Sequence, residues 1–289
     1  AYLDEALSRG MAIDDFAPRI AFNFSVFNNV LEEVAKFRAA RRLWARLLKE
    51  RYGAKNPRSL TFRTGAGSGG STLVAQQPEN NVVRVTLHTV IAAMAGVQSM
   101  HTASMDEAHA LPSKEAATLA LRTQQIVAYE SGLADVIDPL GGSYYVENLT
   151  DQIEEQAEEY LKRIEERGGM VSAIESGWVV HEIGEEAYRF QREVERGERV
   201  VVGLNRFTTD ETPPIQLHSP DPSVANTVKK EISDLRSQRD GKSLLRALDD
   251  LKSMASEGGN LMPATLEAIR SLATVGEVSG ALREVFGEW

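Results

Sequence analysis

A glycine-rich stretch, Gly65-Ala66-Gly67-Ser68-Gly69-Gly70-Ser71, follows a β-prone run and resembles a phosphate cradle. It lacks the Gly-Lys-Ser/Thr ending through which a P-loop holds phosphate and magnesium, so a plain βα loop is the competing reading. Arg19 carries a fork of donors suited to a phosphate or a carbonyl; an arginine ending a surface loop is the commoner explanation. His101 has no second histidine at ligand spacing and reads as a packed histidine near a strand end. His181-Glu182 is not a zinc-binding His-Glu-x-x-His pair, because Glu185 stands where the second histidine belongs. It reads as an exposed helix face. Arg38, Arg41 and Arg42 form a basic cluster on a helix, suited to ion pairing, to solvent or to a subunit contact.

The totals bound what these residues can do. Cysteine is absent from the 289 residues, which removes disulfides, thiolate catalysis and cysteine metal sites. The net charge of −10 argues against a broad nucleic-acid surface, which needs a basic footprint. With 42% hydrophobic residues there is enough apolar material for a real core. No apolar run approaches the ~20 residues that cross a bilayer, so no membrane partner is expected. The opening segment AYLDEALSRG lacks the basic and apolar regions of a signal peptide. A cytoplasmic location is the expectation. The chain starts in helical register without a cap, which reads as a piece of a longer or split protein.

Hydrophobic periodicity gives the elements that must position these side chains. Residues 1–11 read as a helix end, 19–26 as a short strand, and 28–52 as a long amphipathic helix. A second strand is expected over 59–63, then the glycine loop, then a helix over 80–96. A third strand is expected over 97–104, with a helix over 113–131. This strand–helix alternation predicts an α/β fold with a parallel sheet. Beyond Gly132 the pattern becomes turn-rich and then helical, with helices over 151–167 and 170–196 and a strand-like piece over 199–204. The expected divisions are a partial barrel over 1–135, a helical extension over 136–205, a polar linker over 206–223 and a helical segment over 224–289 that breaks at Gly258-Gly259-Asn260.

Several segments together carry a resemblance: DDFAPRIAF at 14–22, EEVAKFRAARRLWARLLKERYGAKNPRSL at 32–60, AQQPENNVVRVTL at 75–87, QSMHTASMDEAHALPSKEAATLALRTQQI at 98–126 and ESGLADVIDPLGGSYYVENLT at 130–150. In order and in content they resemble the large subunit of adenosylcobalamin-dependent acyl-CoA mutases. This is the methylmalonyl-CoA mutase family, with the 2-hydroxyisobutyryl-CoA type nearest.

The resemblance implies that the three units are the last three of a (β/α)8 TIM-type barrel, followed by a mainly helical C-terminal region. It implies an acyl-CoA substrate, and adenosylcobalamin shared with a separate small cobalamin-binding subunit. A chain or segment supplying the first half of the barrel is a further implied partner, within an oligomer. By position it assigns Arg19, Ile20, Ala21 and Gln98 to substrate, and Glu107, Ala103, Gly67 and Gly65 to the cofactor side. The family places a histidine at Gly65, a glutamine at Gly67 and, as partner to the ribose-binding Glu107, an asparagine at Ala103. Asp138–Tyr145 matches a structural turn of the family. Three readings stay open at this point: the substrate- and cofactor-contacting part of a radical isomerase, inactive as this chain alone; a degenerate scaffold or binding subunit; or a fragment with an uncovered sheet edge.

Overall fold

The computed structural model describes residues 1–210 and 217–288. The chain divides into two compact units, Ala1–His218 and Ser219–Trp289. The first unit opens with helices α1 (Tyr2–Ser8) and α2 (Ile13–Phe16) and then alternates strand and helix. The order is β1 (Phe22–Val26), α3 (Val30–Glu50), β2 (Thr64–Ser68), α4 (Asn80–Met94), β3 (Ser99–His101) and α5 (Lys114–Glu130). Helices α6 (Tyr144–Glu166), α7 (Met170–Glu175) and α8 (Trp178–Glu195) complete it. The second unit is helical: α9 (Pro222–Gln238), α10 (Gly241–Ser256), α11 (Leu261–Arg270) and α12 (Val275–Phe286).

The three strands form one parallel sheet in the order β1-β2-β3. The expected α/β alternation is therefore present, with one displacement. The strand expected over 59–63 is a 3-10 turn, Pro57–Leu60, and the strand itself is Thr64–Ser68, inside the stretch expected to be a loop. The cause lies in Asp14. Its carboxylate accepts from the backbone of Lys55 and Asn56 and from the Ser59 hydroxyl at 2.7–3.2 Å, while Trp44 Nε1 donates to the Ser59 carbonyl. These bonds, with Pro57 at the start of the turn, hold the segment coiled until Thr64. Pairing on both sides then draws the glycines into strand geometry. Tertiary context overrides a poor local β propensity.

Other boundaries shift for local reasons. Residues 17–19 form a 3-10 turn, so β1 starts at Phe22. α6 begins at Tyr144, ahead of the expected 151. The helix expected over 170–196 breaks at Gly177, whose φ of 76° is left-handed. Residues 199–204 form no strand, only a single bridge between Val202 and Arg206. Within the linker expected over 206–223, residues 211–216 lie outside the described residues, and α9 starts at Pro222.

One face of the sheet builds the core. Phe24, Val26, Ala66 and Met100 meet Val34 and Phe37 of α3 and Ile91 and Ala92 of α4. Phe22 stacks on Phe62 at 4.4 Å between ring centres, and Phe24 meets Phe37 edge-on at 5.8 Å. Burying such rings is the principal local stabilisation.

A second layer is ionic. Arg38, Arg42 and Arg46, along one face of α3, and Arg51 just past its end pair with Glu147, with Asp151 and Glu154, with Glu154 and Glu158, and with Glu165 of α6. Arg38 also binds Asp138 in the preceding turn, and Arg41 is spent on the Ala95 and Gly96 carbonyls. The basic cluster is thus a helix–helix seam, and Asp138–Tyr145 is the turn that delivers α6 to it.

In the second unit the caps are regular. Asp221, Asp240, Asn260 and Thr274 each accept a backbone N–H at the start of a helix. The Glu277 carboxyl is held down to about 2, chiefly by its bidentate bond with Arg239. The break expected at 258–260 separates α10 from α11.

Candidate functional site

Because side chains alternate along a strand, the face opposite the core is set once the core face is known. It consists of Asn23 and Ser25 from β1, Gly65 and Gly67 from β2, and Ser99 and His101 from β3. The parallel register stacks these residues in two rows, Asn23–Gly65–Ser99 and Ser25–Gly67–His101. Asn23, Ser25, Ser99 and His101 are exposed. The face is polar, carries no Lys, Arg, Asp or Glu, and is hollow at Gly67.

The two glycines are not equivalent. A Cβ at Gly65 would sit 2.8 Å from Ser99 Oγ and 3.3 Å from Asn23 Oδ1, so its neighbours close over it. A Cβ at Gly67 meets nothing within 4 Å. Glycine weakens a strand interior, and an isolated one there commonly marks close approach of a ligand or another backbone. The stretch is therefore a strand with a bare outer face rather than a phosphate loop. His101 is exposed on that face rather than packed, because β3 ends there and none of the described residues of the first unit covers it.

The residues assigned by resemblance fall at opposite ends of the strands. Arg19, Ile20 and Ala21 precede β1. Arg19 is exposed and makes no hydrogen bond or ion pair among the described residues. Gln98 precedes β3 at the same end. Its Oε1 accepts from Thr64 N at 2.7 Å, its Nε2 donates to the Gly96 carbonyl at 3.2 Å, and its own N–H donates to the Thr64 carbonyl. The Gln98 amide therefore fixes the start of β2 against β3.

Ala103 and Glu107 follow β3 at the other end. Glu107 is exposed, and one carboxylate oxygen accepts from Ser104 N at 3.1 Å. Ala103 is buried in an apolar cluster with Leu73 and Val85, so its methyl group faces the helices. The structure brings Asn23, Ser25, Gly65, Gly67, Ser99 and His101 together. It keeps the Arg19–Gln98 group and the Ala103–Glu107 group apart.

Two further groups shape the end where Glu107 lies, and sequence reasoning did not single them out. Asn81, fully buried on α4, accepts from Val74 N and donates to the Val74 and Met105 carbonyls, tying the loop after β2 to the loop after β3. Arg84 donates to Asn81 and, at 2.7 Å, to the Val202 carbonyl. Gln77 donates to the Phe207 carbonyl, so the segment beyond α8 is clasped to the same loops. The second group is His88, whose Nε2 meets Asn28 just past β1. The visible signal for Asn81 was its place at the head of α4, where an asparagine serves helix entry and loop alike.

Among the described residues no group of His, Asp and Glu has the arrangement of a metal site, and no helix is long and apolar enough to cross a membrane. A groove of about 300 Å³ runs along the α3–α6 seam, lined by Arg42, Arg46 and the facing carboxylates. It is walled by ion pairs, and lies in the helical layer rather than over the polar sheet face.

A family model described as methylmalonyl-CoA mutase matches residues 1–288. The chain is 42% identical over 290 residues to the 2-hydroxyisobutanoyl-CoA mutase large subunit of Aquincola tertiaricarbonis, covering 100% of this chain and 52% of that protein. It is 41% identical over 290 residues to methylmalonyl-CoA mutase of Rhizobium meliloti, covering 100% of this chain and 41% of that one. Mitochondrial methylmalonyl-CoA mutase of Homo sapiens is 38% identical over 289 residues, with coverage of 99% and 38%. The chain thus spans about half, or less, of the length of these relatives.

Proposed function

The chain belongs to the methylmalonyl-CoA mutase family, and on that premise we propose that it forms part of an adenosylcobalamin-dependent mutase that rearranges the carbon skeleton of an acyl-CoA. Its three βα units are the closing units of a (β/α)8 barrel, and the bare polar sheet face looks into the barrel. The observation that carries this reading is the placement of the two residue groups at opposite ends of that face. A strand of five residues spans about 16 Å, so a ligand touching both groups must be long and thin. A CoA thioester has that shape.

Each residue then has a task. The Arg19 guanidinium, without a protein partner, binds a phosphate or a pantetheine carbonyl by bidentate donation. Ile20 and Ala21 line the entry beside it. Gln98, its amide committed to Thr64 and Gly96, keeps β2 and β3 in register beneath the ligand. Asn23, Ser25 and Ser99 offer neutral hydrogen-bonding groups along the track. The hollow over Gly67 lets the ligand lie close to the backbone there.

The cofactor fits this end of the site in part. Glu107 keeps one carboxylate oxygen free of protein partners among the described residues, and accepts a ribose hydroxyl of the adenosyl group. Ala103 contributes nothing polar, since its side chain is enclosed by Leu73 and Val85. Bound adenosylcobalamin would supply the radical chemistry; the chain positions the acyl group and shields it from water. The Aquincola relative is named a large subunit, which supports a small cobalamin-binding subunit as partner, with the remaining barrel strands on another segment or chain.

The test is reconstitution. The protein, mixed with the segment or chain that supplies the remaining barrel strands, a cobalamin-binding subunit and adenosylcobalamin, is expected to isomerise at least one acyl-CoA in a chromatographic assay. Absence of turnover across a panel of branched and linear acyl-CoA thioesters would refute the enzyme reading. The second reading, a non-catalytic scaffold, is favoured by Gly65, Gly67 and Ala103, where polar contacts are given up. It predicts that Gly67→Gln and Ala103→Asn leave turnover at zero.

A further inference from the structure

His88 sits on α4 with none of its surface exposed. Its Nε2 lies 2.8 Å from Asn28 Oδ1, and its Nδ1 has no partner. With the amide oxygen facing the ring, Nε2 carries the hydrogen and donates, which leaves a bare lone pair on Nδ1 inside the helical layer. A half-satisfied imidazole is a burden there, and a leucine would avoid it. Burial pushes the ring's pKa down to about 4, so it is neutral and a single donor near pH 7. What this burden maintains is the bond to Asn28.

Asn28 lies two residues past the end of β1, at the same end of the strands as Glu107, and its side chain is exposed. The bond to His88 fixes its oxygen. Its Nδ2 hydrogens have no partner among the described residues. A neutral donor held still at the mouth of a site suits a neutral acceptor, as an arginine suits a phosphate.

We propose that Asn28 is a ligand-contacting residue whose Nδ2 donates to an oxygen of the bound acyl thioester, and that buried His88 is a positioning residue that sets the orientation of its amide. This rests on the mutase reading above and adds to it a residue pair and a ligand atom class.

Calorimetric binding to the full-length protein tests it, with methylmalonyl-CoA, 2-hydroxyisobutanoyl-CoA and acyl-free CoA as probes. Asn28→Ala is expected to weaken at least one thioester five-fold or more while changing acyl-free CoA less than two-fold. His88→Leu is expected to give the same loss, and His88→Gln, which keeps an N–H donor, to restore most of it. The double variant His88→Leu/Asn28→Ala should bind no more weakly than Asn28→Ala alone, because the histidine acts only through the asparagine. Unchanged thioester binding by Asn28→Ala overturns the proposal, and so does an equal loss for acyl-free CoA. Losses that multiply in the double variant remove the positioning role. If the unmodified protein binds none of the three probes, the mutase reading falls and this pair loses its ligand.

Discussion

The two faces of one small sheet are built to different rules. On the side of α3 and α4, the strands present Phe24, Val26, Ala66 and Met100 to a packed layer in which Val26, Phe37 and Ile91 have at most 1% of their surface exposed. On the other side, the same strands present Asn23, Ser25, Gly65, Gly67, Ser99 and His101, with nothing above them among the described residues of the first unit. The packed face is rich in the large apolar and aromatic residues that make strands stable. The open face carries two glycines that make a strand weaker. The contrast separates what holds the fold from what the fold is for. A sheet kept only for stability would not leave its middle strand bare on one side.

The sharpest way to break this contrast is to mutate both faces alike. Phe37→Ala should cost about 3–5 kcal/mol by removing a ring from the packed layer, whereas Ser25→Ala should stay within ~0.5 kcal/mol. Urea denaturation of both variants checks it; equal effects would mean the open face is structural. Next in size is the buried imidazole of His88. Its folded pKa of about 4 lies below the unfolded 6.5, so the unfolded chain binds the extra proton first. The stability of the neutral ring is therefore complete above about pH 6.5 and is lost as the pH falls toward 4, by roughly 2–3 kcal/mol. Denaturation midpoints at pH 7 and 4.5 should converge for His88→Leu relative to the unmodified protein.

A smaller effect separates the two glycines. Gly67→Ala should stabilise by about 0.5 kcal/mol, since its methyl meets open space and the unfolded chain loses freedom. Gly65→Ala should gain less, because Ser99 must rotate away; thermal melts will rank them. Smallest is the outer end of the ionic seam. Arg51→Ala removes an exposed pair with Glu165 and should cost under ~0.5 kcal/mol, with the difference vanishing in high salt.

Much of this was legible in the sequence, and the failures are instructive. The alternation of Phe22, Phe24 and Val26 with Asn23 and Ser25 has the period of a half-buried strand, and β1 follows it. The helices α3, α4 and α5 follow their apolar spacing. The strand in Thr64–Ser68 was hidden because its residues have low strand propensity. Only pairing with neighbours remote in sequence makes TGAGS extended, and no local signal reports that. For the same reason the Gly67 hollow has the sequence signature of a loop. The Asn28–His88 pair joins residues 60 apart and leaves no mark on local pattern. Arg38, Arg41 and Arg42 stood out as a cluster, but their partners on α6 could not be read without the turn at Asp138. Ala103 was placed on the cofactor side by resemblance, and only the packing with Leu73 and Val85 shows where its methyl group goes.

The ionic seam has a kinetic side. Its bonds link residues 100–114 positions apart, with two strands and two helices lying between them. Closing a loop of that length must wait until the intervening units have condensed, so the seam belongs late in the order of events. The helices of the second unit, joined by near neighbours in sequence, carry no such delay. During refolding from denaturant, helical signal should therefore recover ahead of the protection of Glu154, and the acidic face of α6 should stay open to solvent until the last phase.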